Sequence, residues 1–501
     1  MSSMHNPSMA ASQKLYAALF HVLLLSLFPL NAKSSARTQA EALLQWRSTL
    51  SFSPPPLSSW SRSNLNNLCK WTAVSCSSTS QTVSQINLGS LNITGTLAHF
   101  NFTPFTDLTG FDIQNNSVNG AIPSAIGSLS KLTHLDLSVN LFEGSIPVEI
   151  SQLTELQYLS LYNNNLNGII PFQLANLPKV RHLDLGANYL ENPDWSKFSM
   201  PSLEYLSFSL NELTAEFPHF ITNCRNLTFL DLSLNKFTGQ IPELVFTNLG
   251  KLETLNLYNN SFQGNIPSSI GQLKHLEKLD LRNNALNSTI PPELGLCTNL
   301  TYLALAGNHL SGELPLSLSN LAKIADMGLS DNSLSEVGNL TMLQILDLNT
   351  NQLHGELPQT ISNITSLTSI NLFGNNLSGS IPSDFGKYMR SLEYASFSYN
   401  REVPQSLTSL KGLEYLDFSD NKLTGNISKE LGSYEKLSSL DLSHNNLAAF
   451  SKINPQELLM AIQDCAVKEE DYHNAQQLTV ASPQRITKRF LLVLSFRFVA
   501  Y

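Results

Sequence analysis

Charge, cysteine and long apolar runs are all scarce in this sequence of 501 residues. Asp, Glu, Lys and Arg make up only 14% of it, and the net charge is −9. A surface built to hold nucleic acid would be basic, so that class is excluded. Five cysteines are too few for a disulfide-dense scaffold. Catalytic signatures are missing as well. There is no G-x-G-x-x-G followed by V-A-I-K, H-R-D and D-F-G, and no G-x-S-x-G, H-E-x-x-H or C-x-x-C. No enzyme, no metal site and no cofactor are therefore expected.

The apolar run Leu15–Leu30 follows Lys14 and precedes Ala32, Ser34, Ser35 and Ala36. It is short for a membrane helix and has the layout of a secretory signal peptide over residues 1–32, with cleavage after Ala32 or Ala36. A retained signal anchor is the other reading. The terminal run Phe490–Tyr501 contains Arg497 and is too short to cross a bilayer as an ordinary helix.

What is abundant is repetition. Ile126–Pro147, IGSLSKLTHLDLSVNLFEGSIP, is written again as Ile270–Pro291, IGQLKHLEKLDLRNNALNSTIP. The shared pattern is LxxLxxLxLxxNxLxGxIP. Its marker asparagines are Asn116, Asn140, Asn164, Asn188, Asn211, Asn235, Asn260, Asn284, Asn308, Asn332, Asn351, Asn375, Asn400, Asn421 and Asn445. Most steps are 24 residues, the period of a leucine-rich repeat solenoid. In LDLS segments leucine alternates with polar residues, which predicts a strand with leucines inward. The marker amide can bond unpaired backbone of neighbouring coils and form a ladder. The steps ending at Asn351 and Asn421 are short, 19 and 21 residues. Natural short repeats or degenerate copies both account for them. Cys224 and Cys297 stand where leucine normally points inward, and they read as small buried hydrophobes. Cys465 falls outside the repeats.

The GxIP arms at Gly144–Pro147, Gly239–Pro242, Gly264–Pro267 and Gly379–Pro382 resemble the plant-type repeat of extracellular receptors. The fold expected is an α/β repeat solenoid, a plant-type leucine-rich repeat superhelix. It has a parallel concave sheet and short helical or 3-10 convex segments. The division expected is residues 1–32 signal peptide, 38–82 amino-terminal cap, 83–447 repeats and 448–501 a non-repeat tail. The tail's NPQE at Asn454–Glu457 is a helix start signal.

A solenoid's first coil needs a cap over its leucine face. In TQAEALLQWRSTL, Leu43, Leu44, Trp46 and Leu50 recur at helical spacing. LCKWTAVSC follows, with Cys69 and Cys76. In a secreted chain this pair is most simply a disulfide, and two further zinc ligands are not in view. The block resembles the cap of plant leucine-rich repeat receptor kinases, with its C-x-W-x-G-V-x-C motif. Ala73 stands where that family has Gly. Acceptor sequons occur at Asn92, Asn101, Asn115, Asn226, Asn259, Asn287, Asn299, Asn339, Asn363, Asn376 and Asn426. They fit passage through the secretory route.

The recurrent Asp of LDL and LDF, at Asp136, Asp184, Asp231, Asp280, Asp347, Asp417 and Asp441, reads as consensus on a solvated face. Binding is expected on the outward sheet residues. One column reads His134, Tyr158, His182, Tyr205, Phe229, Thr254, Lys278, Tyr302, with Tyr162, Tyr258 and Arg282 on the same face. Exposed aromatics beside cations suit a peptide groove. Tyr is also simply a good strand former.

The cap text is similar to the group of plant receptor-like kinases that includes the male-discoverer-interacting kinases. That resemblance implies a secreted, apoplastic ectodomain that binds a small secreted peptide and pairs with a leucine-rich repeat co-receptor kinase. It would lie at the plasma membrane if a membrane helix belonged to it. The alternative is a soluble inhibitor of a cell-wall-degrading enzyme, of the polygalacturonase-inhibitor kind.

Overall fold

The computed structural model describes residues 35–336, 343–378, 385–400, 412–425, 436–447 and 491–493. The signal segment, Cys465, the arm Gly379–Pro382, the tail's helix signal, Asn339 and Asn426 lie outside them.

Each L-x-L segment forms a three-residue strand, such as His134–Asp136 or Tyr158–Ser160. These strands build an 18-stranded sheet. Val74–Cys76 runs antiparallel to Val83–Asn87, and from there the strands pair in parallel. The register is kept coil to coil: His134 faces Tyr158, Tyr158 faces His182, and His182 faces Tyr205. Every inward leucine of these strands, Leu135, Leu159, Leu183 and Leu206, is fully buried.

The marker asparagines hold the coils together. Asn188 Nδ2 donates to Leu161 O of the previous coil at 3.0 Å and to Leu185 O and Gly186 O of its own coil at 3.2 and 3.0 Å. Its Oδ1 accepts the Leu166 N–H at 3.1 Å. One amide thus bonds four backbone groups at once, and the Leu166 N–H has it as its partner. The ladder crosses the short step too. Asn351 Oδ1 accepts from Leu334 N at 3.0 Å, and its Nδ2 donates to Leu329 O at 3.0 Å.

Opposite the sheet, the arm turns at a left-handed glycine, φ 78° at Gly144, and Pro147 leads into the 3-10 segment Val148–Gln152. Glycine tolerates that φ without steric cost. The arms add two outer ladders of five strands each, from Thr94–Thr96 to Tyr189–Glu191 and from Thr238–Gln240 to Ser333–Glu336.

At the amino-terminal end, helix α1 (Ala36–Thr49) is capped by Ser35, which accepts from Thr38 N. Gln39 is fully buried and joins cap to solenoid. Its Nε2 donates to Pro104 O, and its Oε1 accepts from Val83 N, both at 2.9 Å. Trp46, Trp60 and Trp71 pack side by side behind it. Cys69 and Cys76 form a disulfide. Ala73 keeps a φ of 68°, a region that disfavours a side chain and explains the resembling family's glycine there. Cys224 and Cys297 are free and fully buried, and burial pushes their thiols up to about 12 and 11.

The solvated-face reading of the recurrent aspartates is corrected. Asp136 is 4% exposed. Its carboxylate accepts the Ser138 N–H at 3.0 Å, and Asp184, Asp231, Asp417 and Asp441 do the same two residues on. The aspartate ends the strand by closing a local side-chain turn, so its place is structural.

Candidate ligand-binding face

The outward column is one continuous object over its first five members. His134 and Tyr158 stack at 4.3 Å between centroids, Tyr158 and His182 at 4.1 Å, His182 and Tyr205 at 4.0 Å, and Tyr205 and Phe229 at 4.3 Å. The rings are near parallel because identical registers repeat each coil. Their faces are therefore used against one another. Ring edges and polar tips look into the concavity.

Buried carboxylates pin the stack. Tyr158 Oη donates to Asp136 Oδ2 at 3.3 Å. Burial, and then Asp136, push the Tyr158 hydroxyl up to about 12. Desolvation lowers His182 to about 4, so its imidazole is neutral. Desolvation likewise raises Asp184 to about 6.

Further along, Thr254, Lys278 and Tyr302 continue the row in register. Lys278 is exposed and Tyr302 half-buried. Arg282 is already committed. Its Nε and a terminal nitrogen clasp both Asp280 oxygens, the closest at 2.6 Å, and the guanidinium lies 4.9 Å over Tyr258. Two of its nitrogens are thus engaged with Asp280, and Arg282 and Tyr258 form a held cation–π element rather than a free fork. Tyr162 stands apart from the stack and is 39% exposed.

The same column carries a second aromatic group. Ile345, Ser369, Tyr394 and Tyr415 follow in register. Tyr394 and Tyr415 stack at 4.6 Å, and Phe373 meets Tyr399 edge-on at 5.1 Å. Ile345, Phe373 and Tyr399 are 39%, 37% and 54% exposed.

Among the sequons, Asn92, Asn101, Asn115, Asn226, Asn259, Asn287 and Asn363 are exposed, and Asn299 and Asn376 are half-buried.

Comparison with known proteins agrees with this architecture. The leucine-rich repeat N-terminal domain matches residues 36–77. Leucine-rich repeats match 106–166 and 178–237, and again 251–273, 275–297, 299–321, 342–364, 366–388 and 412–434, together more than half of the chain. The chain belongs to the leucine-rich repeat family. It is homologous to plant leucine-rich repeat receptor-like kinases. The receptor-like serine/threonine-protein kinase RGI4 of Arabidopsis thaliana is 36% identical over 94 residues, 19% of this chain and 8% of that one. Protein MALE DISCOVERER 2 of the same plant is 31% identical over 99 residues, 20% of this chain and 14% of that one. The matched stretch is thus a small part of each relative.

Two solved structures are alike in shape as well as sequence. A TDR receptor has TM-score 0.61 at 27% identity, covering 72% of this chain and 68% of that one. The leucine-rich repeat ectodomain of GASSHO1/SCHENGEN3 from Arabidopsis thaliana, in complex with CASPARIAN STRIP INTEGRITY FACTOR 2, has TM-score 0.51 at 28% identity. It covers 82% of this chain and 62% of that one. Leptospira interrogans protein LIC12759 matches the shape equally, with TM-score 0.62 at 27% identity over 77% of this chain and 95% of that one. Shape alone thus does not separate a plant receptor from another leucine-rich repeat protein. Among the described residues no helix is long and apolar enough to cross a membrane.

Proposed function

We propose that the chain is an extracellular recognition module whose concave face binds a small secreted peptide. The reading keeps residues 1–32 as a removed signal, 38–82 as the cap, 83–447 as the repeats and 448–501 as a tail. The sequons then carry glycans, and a leucine-rich repeat co-receptor kinase is the further partner. The observation that carries the proposal is the five-ring column His134 to Phe229. Interior packing does not call for it, since these side chains point away from the leucine core. Stacking fixes their rotamers beforehand, so little side-chain entropy remains to be lost on binding. The GASSHO1/SCHENGEN3 ectodomain was solved with its factor bound, and it supports the same use of this fold.

The test is retention of secreted plant peptides on the immobilised full chain, read by mass spectrometry. Tyr205→Ala should weaken binding by about 1–3 kcal/mol, the range of a central anchor. Leu316→Ala, an exposed residue of a convex segment, should change nothing. Equal losses from both variants would remove the concave face from the account. Capture of a cell-wall-degrading enzyme instead of peptides would favour an inhibitor.

A further inference from the structure

Resting on that reading, we infer that the ligand is a linear peptide held at two separated apolar anchors, with a basic stretch between them. The anchors are the stack ending at Phe229 and the group formed by Ile345, Phe373, Tyr394, Tyr399 and Tyr415.

Their separation follows from register. From Phe229 the row passes Thr254, Lys278, Tyr302, Asp326, Ile345 and Ser369 to Tyr394. Ile345, the near edge of the second anchor, is five strand steps away and Tyr394 seven, roughly 24 and 34 Å at about 4.8 Å per step. An extended peptide rising about 3.3 Å per residue needs roughly seven to ten residues to bridge these distances. The other apolar surface in between is limited to Tyr302 and the Arg282-covered Tyr258.

The intervening surface is acidic. Asp231, Asp280, Asp326 and Asp347 stand on the strands, half-buried. Glu253 and Glu277 lie exposed at the strand entrances. Among the described residues the cations on these strands are Lys278 and Arg282, and Arg282 is held by Asp280. Neither Glu253 nor Glu277 has an ion-pair partner among the described residues. Carboxylates partly removed from water gain most from an arriving cation, because the dielectric around them is already lowered. An acidic ligand centre would be repelled here, which makes the charge a specificity device as well as an attraction.

The experiment uses the full chain and three synthetic peptide pools. Two pools are 18 residues long, with Phe, Tyr and Leu at both ends and a centre of either Lys and Arg or Asp and Glu. The third is eight residues long with one apolar end. The basic-centre long pool should be retained at least tenfold better than the other two. The double variant Phe373→Ala, Tyr399→Ala should bring its retention down to that of the short pool, and Glu253→Lys with Glu277→Lys should reverse the preference between centres. Both variants change exposed side chains, and an unchanged circular dichroism melt checks that the array is intact. Equal retention of acidic and basic centres overturns the inference, as does undiminished retention by the Phe373 and Tyr399 variant, while leaving a peptide receptor in place. Retention of no pool above bare resin, with Tyr205→Ala also without effect on natural peptides, removes the peptide reading itself.

Discussion

The two faces of the concave sheet carry opposite kinds of information. Inward, most coils say the same thing: a leucine, a leucine and an asparagine whose amide bonds equivalent backbone groups from coil to coil, with Asn421, which accepts from Asn400 N, an exception. Outward, the residues at equivalent register run from His and Tyr through Thr and Lys to Asp, Ile and Tyr. Uniformity inside is what lets one coil stack on the next, since each coil is buried only by its neighbours. Variation outside costs the fold little. Identity is therefore free to be set by what the face must meet.

The sharpest break of this comparison is an inward one. Asn188→Ala removes an amide from a site 6% exposed. It leaves the Leu166 N–H unpaired and takes one donor each from Leu161 O, Leu185 O and Gly186 O, which keep Asn164 Nδ2, Asn211 Nδ2 and Asn163 N. A buried unpaired group costs about 1–3 kcal/mol and each lost hydrogen bond about 0.5–1.5 kcal/mol, which together come to about 3–5 kcal/mol. Urea unfolding followed by circular dichroism measures it. An outward substitution such as Thr254→Ala should stay within about 0.5 kcal/mol. Similar losses at the two sites would show that the faces are not energetically distinct.

A covalent link at the end should matter less than that interior amide. The Cys69–Cys76 disulfide closes a loop of sequence separation seven, for which loop entropy alone gives about 2–3 kcal/mol. Cys69→Ser should lower stability by that amount and loosen α1 and its tryptophans first. Hydrogen exchange should find faster opening over residues 36–77 with little change beyond residue 130. Uniformly faster exchange along the array would mean that the cap and the coils unfold as one unit.

The inward pattern was legible in the sequence almost entirely, because a residue repeated at fixed spacing needs only one physical explanation. The parallel sheet, the asparagine ladder and the buried Cys224 and Cys297 all follow from period and polarity. The outward face was legible only as a set of positions. Tyr158, His182 and Tyr205 were found in one column, yet their face-to-face stacking depends on side-chain rotamers that a sequence does not display. Arg282 looked free because its partner, Asp280, stood two residues away and had been read as solvated consensus. That one misreading of the strand-ending aspartate propagated to the cation. Tyr394 and Tyr415 occupy the same column but lie beyond its most regular repeats.

The smallest effect probes the outward face by itself. His182 and Asp184 sit on one strand, and burial moves them in opposite directions, to about 4 and about 6. For Asp184 the folded value lies above the unfolded one near 3.8. The folded chain thus binds the extra proton between pH 4 and 6, and stability falls as pH rises through that window. For His182 the folded value lies below the unfolded one near 6.5. The unfolded chain then binds the extra proton, and stability rises with pH from 4 to 6.5. The two slopes nearly cancel in the native chain. Removing one group should expose the other. His182→Phe keeps a ring in the stack and should make the melting temperature fall between pH 4 and 6. Asp184→Asn should make it rise between pH 4 and 6.5. Each change should amount to about 1–2 kcal/mol over its window, after allowance for solvent screening of the partly exposed imidazole. Differential scanning calorimetry at half-unit pH steps reads both slopes. Parallel curves for the two variants would show that neither group is desolvated as the stacked geometry requires, and that the outward face is wetter than its packing implies.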